Sequence, residues 1–181
     1  AMETNTTGAT NTAVGSYALF ANTTASYNTA LGYYAGGATT TGANNVAVGY
    51  QAFYSNTTGH TSVAVGDKAL YTATTGEGNV AVGYNALEFL TTANSNTAIG
   101  TKALEANTTG SNNVAIGANA LDACTTSVSN VCVGNGAGGA ITTGNGENVC
   151  VGNNAAAAMT TGQQNIIIGD IAGAGAAITG N

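Results

Sequence analysis

The chain has 181 residues, and only 6% of them are charged: two lysines, no arginine and eight acidic residues, with a formal net charge of −6. A soluble domain usually has about a quarter of its residues charged. The groups that acid–base catalysis and metal binding require are therefore scarce, and we expect a non-enzymatic protein without a cofactor or bound metal. The negative charge disfavours nucleic acid and anionic membranes as partners, and no apolar run is long enough to insert into a membrane.

One pattern, Asn-x-Ala-Val-Gly with variants, recurs along the whole chain. Its glycines, called anchor glycines below, are 17 residues apart, except that 18 residues separate Gly134 from Gly152. The anchor glycines are Gly15, Gly32, Gly49, Gly66, Gly83, Gly100, Gly117, Gly134, Gly152 and Gly169. Such a period is the signature of a stacked repeat. Residues 1–181 are therefore predicted to form a single repeat domain of ten coils, with one inserted residue between Gly144 and Asn148.

The residues just before each anchor glycine predict a short β-strand. In the third coil they are Val46, Ala47 and Val48, and most coils likewise place a small residue between two β-branched ones. This alternation is typical of a strand whose branched side chains share one face. Asn precedes the segment in every coil except the fourth, which has Ser62. Stacked Asn side chains can form a hydrogen-bonded ladder along the repeat.

The residues after each anchor glycine predict a corner and a turn. Ala lies three positions after the glycine in all ten coils, which indicates a site too small for a longer side chain. A Thr-Thr pair follows, and in several coils a glycine comes next, as in Thr57-Thr58-Gly59. We expect that glycine to adopt a positive φ angle in a turn.

The length and composition of the repeat favour a β-solenoid over a helical repeat. Seventeen residues are too few for two helices of ordinary length, and Thr, Val, Asn and Gly are weak helix formers. The sequence therefore predicts an all-β fold, a parallel β-solenoid with two short strands and two corners in each coil. Stacked strands lie about 4.8 Å apart, so ten coils would be roughly 48 Å long.

The same pattern predicts an assembly. Both faces of the predicted strand lack charge, and a narrow coil buries little apolar area against the entropy cost of ordering its residues. A second chain would cover the second face, and we predict a parallel homotrimer. The chain starts and stops inside a repeat, at Thr6-Thr7-Gly8 and at Ile178-Thr179-Gly180, so neither end has a polar capping repeat. We therefore expect either a segment of a longer fibre or a trimer whose ends cap one another, and we interpret Ala1-Met2 as a cloning scar.

Two runs of residues resemble known families. The run Asn112–Gly117, with the sequence Asn-Asn-Val-Ala-Ile-Gly, is similar to the head repeats of YadA-like trimeric autotransporter adhesins. This resemblance implies a left-handed parallel β-roll that assembles as a trimer. The run Val46–Gly59 resembles repeats of phage tail fibres and bacterial surface fibres. That resemblance implies a trimeric extracellular fibre, on a cell or virion surface, with an adhesive or receptor-binding role.

All eight tyrosines lie between Tyr17 and Tyr84, and two columns of them are candidate ligand contacts. Those one or five positions after an anchor glycine are Tyr33, Tyr50, Tyr84, Tyr54 and Tyr71. Aromatic side chains offer apolar area with a polar tip, which suits the faces of sugars. A surface glycan or surface protein of a target cell is thus the predicted partner. The alternative, which we favour for the rings themselves, is that they pack on one another and cover the rod.

The sequence leaves two other functions open. The chain could be a purely structural shaft that spaces a separate tip domain. It could also be an ice-binding solenoid that uses the repeated Thr-Thr pairs, although adjacent residues of a strand point to opposite faces.

The cysteines and the single histidine are weaker candidates for function. Cys132 and Cys150 occupy the central strand position of adjacent coils, where they could form a disulfide or serve as apolar filler. Cys124 shares a column with three large apolar residues, so we favour filler for all three thiols. His60 is expected to be a solvated turn residue, because no acid or nucleophile accompanies it.

Overall fold

The computed structural model of the chain describes residues 1–144 and 146–173. Those residues form ten three-residue strands and no helix. The strands are β1 (Thr12–Val14), β2 (Thr29–Leu31), β3 (Val46–Val48), β4 (Val63–Val65), β5 (Val80–Val82), β6 (Thr97–Ile99), β7 (Val114–Ile116), β8 (Val131–Val133), β9 (Val149–Val151) and β10 (Ile166–Ile168). The partial repeat expected at Ile178-Thr179-Gly180 lies outside the described residues. So does Asn145, one residue of the segment that holds the predicted insertion.

The ten strands form one parallel sheet in the order of the sequence, from β1 to β10. Each strand pairs in register with the equivalent residues of the next coil, as Val46 does with Val63 and Val63 with Val80. The extra residue of the ninth coil leaves this register intact, because Val131 pairs with Val149. The predicted all-β parallel solenoid is therefore confirmed.

The prediction of two strands in each coil is wrong, since each described coil has a single strand and closes through a long hydrogen-bonded turn. Peptide groups of the turn bond to both neighbouring coils: the Leu19 N–H donates to the Ala35 carbonyl at 3.0 Å, and the Tyr34 N–H donates to the Ser16 carbonyl at 3.0 Å. Residues two and four positions after the anchor glycine have positive φ, for example 59° at Tyr17 and 47° at Leu19. These left-handed residues bend the chain too sharply for a second extended segment.

The core is a narrow column of small side chains. The central residue of every strand except β1 is buried, and so is the Ala three positions after the anchor glycine in nine coils. Those nine are Ala18, Ala35, Ala52, Ala69, Ala86, Ala103, Ala120, Ala137 and Ala155. The prediction that this position has no room for a longer side chain agrees with their complete burial. Larger apolar residues such as Leu70 and Leu87 follow and are also fully buried.

The predicted asparagine ladder is confirmed, and it also ties down the backbone. The Asn113 Oδ1 accepts the Asn130 N–H at 3.0 Å and the Asn130 Nδ2 at 3.0 Å. The Asn113 Nδ2 donates to the Ser127 carbonyl at 2.9 Å. In the fourth coil, Ser62 replaces Asn and its Oγ still accepts the Asn79 N–H, at 3.2 Å. Buried backbone groups of consecutive coils are thereby paired, as buried polar groups must be.

Of the glycines that follow a Thr-Thr pair, only Gly144 has the positive φ that the sequence predicts, at 107°. An added Cβ at Gly59 would lie 2.5 Å from the Gly76 carbonyl oxygen, so the close approach of adjacent coils favours glycine there. Positive φ occurs instead at the anchor glycines, from 125° at Gly15 to 140° at Gly83.

The outward side of the sheet carries the first and third side chains of all ten strands, called the sheet face below. In the single chain these side chains are half-buried or exposed throughout, and their burial by a second chain stays a prediction. The exposed fraction is 54% at Val14 and 76% at Ile166. Since the sheet face holds only Val, Ile, Leu and Thr, it is a flat, uncharged surface.

Candidate functional site

Seven aromatic side chains form one cluster on the corner that follows the strands of the first four coils. This cluster, called the aromatic corner below, consists of Tyr17, Phe20, Tyr33, Tyr34, Tyr50, Tyr54 and Tyr71. The rings of Tyr33 and Tyr50 are stacked with centroids 5.5 Å apart, and those of Tyr54 and Tyr71 with centroids 5.4 Å apart. Parallel stacking follows directly from the solenoid, because equivalent residues of consecutive coils lie above one another.

The structure brings four of the five predicted tyrosines together and leaves Tyr84 apart. An edge contact between Tyr34 and Tyr54, with centroids 5.5 Å apart, joins the two predicted columns. Tyr34 was not among the predicted contacts because it belongs to a third column, two positions after the anchor glycine. Each of the three stacked pairs covers one face of both its rings, which agrees with the packing interpretation. Glycan contact by these residues stays a prediction.

Asp67 separates Tyr84 from the rest of its column. The column one position after the anchor glycine reads Tyr33, Tyr50, Asp67 and Tyr84 in consecutive coils. Asp67 is exposed, as are Tyr50 and Tyr84, with exposed fractions of 47% and 49%. The aligned sequence already contained this interruption, and it was missed because the tyrosines were considered without the residues between them.

The two lysines of the chain lie at the end of the aromatic corner and beyond it. The Lys68 Nζ is 5.8 Å from the centroid of the Tyr71 ring, within range of a cation–π interaction. Two coils further along the rod, the Lys102 Nζ forms an ion pair with the Glu105 Oε1 at 3.3 Å. The Asn85 Nδ2 donates to the same Glu105 oxygen, also at 3.3 Å. Charge is therefore concentrated where the aromatic column ends.

Three carboxyl groups continue the column of Tyr54 and Tyr71 in the next three coils. They are Glu88, Glu105 and Asp122. Burial raises the pKa of Glu88, with the nearby Lys68 charge acting in the opposite direction, and burial also raises the pKa of Asp122. In the described part of the chain, no cluster of three His, Cys, Asp or Glu side chains is placed to hold a metal ion.

The Thr-Thr pairs lie in the turn, as the sequence predicts, and the two side chains of a pair differ in exposure. The first Thr is half-buried in eight of the ten pairs, and its hydroxyl donates to the carbonyl of the equivalent Thr in the next coil, as from Thr57 to Thr74 at 3.1 Å. The second Thr is exposed. This exposed column contains Thr7, Thr24, Thr41, Thr58, Thr75, Thr92, Thr109, Thr126, Thr143 and Thr161.

The three thiols are free and fully buried, which agrees with their interpretation as apolar filler. Cys132 and Cys150 are in register on adjacent strands. A side-chain hydrogen bond with Cys150, together with burial, raises the pKa of the Cys132 thiol. His60 is less exposed than predicted, because it is half-buried and its Nδ1 accepts the Ala43 N–H at 2.9 Å.

Together, the sheet and these surfaces define a class of protein: a parallel β-solenoid repeat protein with one strand in each coil, an uncharged sheet face and an aromatic corner. The chain matches no protein-family model, no curated protein and no solved structure. Within residues 1–144 and 146–173, there is no helix with the length and apolar character to cross a membrane.

Proposed function

We propose that the chain is a non-enzymatic segment of a trimeric fibre that mediates adhesion or receptor binding at the outer surface of a cell or virion. The observation that carries this proposal is the exposed, uncharged sheet face, which runs along all ten strands. The largest apolar patch on the surface of a soluble protein is often a functional site.

The dimensions of the sheet face support a partner of the same kind. At about 4.8 Å per coil and 3.3 Å per residue, the face is about 48 Å long and 10 Å wide. Its area of about 480 Å² lies within the range of roughly 300–600 Å² for the largest apolar patch on a typical monomer, which is often functional. A second copy has the same repeat spacing and no charge to bury, so its side chains can interdigitate along the full length.

The proposed assembly is a parallel homotrimer with the three sheet faces around a common axis, and its coils are left-handed, as in the YadA-like heads that the chain resembles. The aromatic corner would then be presented three times on the outside. Weak contacts at three equivalent corners add through avidity, so adhesion does not require a deep pocket.

The assembly is tested by measuring the absolute mass in solution by light scattering on a sizing column. We expect three times the chain mass for the native protein. Val82→Glu, which places a charge at the centre of the sheet face, should give a monomer, because a charge is costly to bury without a partner. The matched control is Thr92→Glu, on the exposed Thr column, which should stay trimeric. A monomeric native chain, or a trimeric Val82→Glu variant, would contradict the proposed packing.

The adhesive role is tested separately from the assembly. Labelled trimer is applied to a panel of bacterial and eukaryotic cells, and bound fluorescence is measured by flow cytometry. Saturable binding to at least one cell type that unlabelled trimer displaces is the expected result. A trimer that binds none of the cells would favour the structural shaft, with recognition assigned to another part of the fibre.

Ice binding is a second candidate function, because the exposed Thr column presents one hydroxyl per coil in an unbroken series. The decisive measurement is the thermal hysteresis of the purified protein. Hysteresis that disappears on replacing Thr75 by Tyr, but not on replacing the hydrogen-bonded Thr74 by Val, would favour this function. A protein without hysteresis excludes it.

A further inference from the structure

We infer that Tyr50, Asp67 and Tyr84 form a notch that binds a single pyranose ring of a glycan. This inference deepens the proposed adhesive function and rests on it. The three residues occupy the same column in consecutive coils, and all three are exposed. They are called the Tyr–Asp notch below.

The short side chain of Asp67 creates the notch. One face of the Tyr50 ring is stacked on Tyr33, at an interplanar angle of 9°. Its other face is directed along the rod toward the coil that carries Asp67, where a third stacked aromatic side chain would otherwise cover it. Asp67 is too short to do so, and Tyr84 lies one coil further on. The column thus leaves one free aromatic face beside a carboxylate.

The spacing suits one sugar ring. Tyr50 and Tyr84 are two coils apart, which corresponds to about 9.6 Å along the rod. Two van der Waals contacts of roughly 3.5–4.0 Å each take up most of that distance. The remainder accommodates the puckered thickness of one saturated six-membered ring. A flat aromatic ring would be thinner than this gap, and two stacked sugars would exceed it.

Asp67 supplies the polar contact that a sugar needs. No donor within the described residues hydrogen-bonds to its carboxylate, so both oxygens can accept from a pair of neighbouring hydroxyl groups. Hydrogen bonds to an ionised acceptor are stronger than neutral ones. Apolar ring faces beside a hydroxyl acceptor match the two kinds of surface on a pyranose.

The test uses the full chain and four probes, the methyl pyranosides of glucose, galactose, mannose and N-acetylglucosamine, with binding measured by saturation-transfer NMR. A site this shallow should bind its sugar with a Kd on the order of 1–10 mM. We expect at least one probe to bind, and its affinity to fall by about tenfold or more in Tyr84→Ala and in Asp67→Asn. Ala is compatible with the fold at position 84, because Ala118 stands in the same column.

The matched control is Tyr27→Asn. Tyr27 is also exposed, with an exposed fraction of 63%, but it lies outside the aromatic corner, and its own column contains Asn44. This variant should bind the sugar as the native chain does. The inference is overturned if no pyranoside binds, if Tyr84→Ala and Asp67→Asn bind as tightly as the native chain, or if Tyr27→Asn loses affinity equally.

Choline is included as a competing probe, because two aromatic side chains and a carboxylate can also form a cage for a quaternary ammonium group. Binding of choline in place of the sugars would overturn the assignment to a pyranose. Failure of this inference is distinguishable from failure of the proposed function. If the trimer adheres to cells but Tyr84→Ala and Asp67→Asn do not change sugar binding, the proposed function stands and only this subsite is rejected.

Discussion

Removing one rung of the asparagine ladder is the sharpest test of how the coils are held together. Asn113 is fully buried and accepts two hydrogen bonds from Asn130, one from its backbone N–H and one from its side chain. It also donates to the Ser127 carbonyl at 2.9 Å. In Asn113→Ala, the Asn130 N–H and the Ser127 carbonyl both lose these bonds inside the rod, where water cannot replace them.

The magnitude follows from those two groups. A buried polar group left without its partner costs about 1–3 kcal/mol. Asn113→Ala should therefore lower the free energy of unfolding by about 2–6 kcal/mol. For a chain of this length each kcal/mol shifts Tm by about 2–4 °C, so Tm should fall on the order of 10 °C. Thermal unfolding is followed by circular dichroism at constant protein concentration, since assembly would make Tm depend on concentration.

The fourth coil supplies the matched variant. Ser62 takes the place of Asn there and still accepts a backbone N–H at 3.2 Å. Asn113→Ser should therefore keep the bond from the Asn130 N–H, lose the donation to Ser127, and cost about half as much as Asn113→Ala. Asn135→Ala, on an exposed side chain, should change Tm little. If Asn113→Ala is no worse than Asn135→Ala, or if Ser is no better than Ala at position 113, the ladder does not stabilise the coil in the way argued.

Two further predictions concern the backbone and the thiols. Gly83→Ala should destabilise the protein by about 3 kcal/mol or more, because φ is 140° and the added Cβ would lie 2.5 Å from the carbonyl oxygen of the next anchor glycine. Gly78→Ala, with φ of 64° and no atom nearer than 3.9 Å, should cost only about 1–2 kcal/mol. Both losses are measured by urea denaturation, and equal losses would contradict the argument. Burial raises the pKa of the Cys124 thiol to about 11, whereas an unfolded thiol ionises near pH 8.5. The folded state is therefore stabilised fully below about pH 8.5, where the thiol is neutral in both states. About 2–3 kcal/mol of this stabilisation is lost by about pH 11. The Tm of the native chain should therefore fall relative to that of Cys124→Leu over this range, and a difference independent of pH would refute it.

The columns of the repeat made much of the fold predictable. Asn at one position and Ala at another recur because each faces an identical neighbour one coil away. The ten equivalent positions of a column therefore share one structural environment, and the residues they have in common indicate what that environment requires. The strand, its register, the ladder and the tight Ala site all follow from that repetition. Residues that share a column in the aligned sequence lie above one another in the structure.

The shape of the turn was not predictable in the same way. Leu87 has a φ of 53°, a conformation that bulky residues rarely adopt on their own. Its N–H donates to the Ala103 carbonyl of the next coil at 3.0 Å, so contacts between coils determine the conformation and outweigh local preference. Rules based on local propensity do not include these contacts between coils, and they therefore predict a second strand where the structure has a turn. The contact between Tyr34 and Tyr54 depends on this turn and was missed with it.

The arrangement of these surfaces connects the proposed assembly to the proposed recognition. The sheet face precedes each anchor glycine, whereas the Tyr–Asp notch begins one residue after it, so the two surfaces share an edge of the rod. Packing three sheet faces around an axis would leave the notch beside the seam between neighbouring chains. A glycan bound there could reach the next chain, and its affinity would then depend on assembly. We therefore expect the monomeric Val82→Glu variant to bind a long oligosaccharide more weakly than the trimer at equal chain concentration, but to bind the methyl pyranosides equally well. Equal affinity of monomer and trimer for both kinds of ligand would separate recognition from assembly and leave avidity without a role.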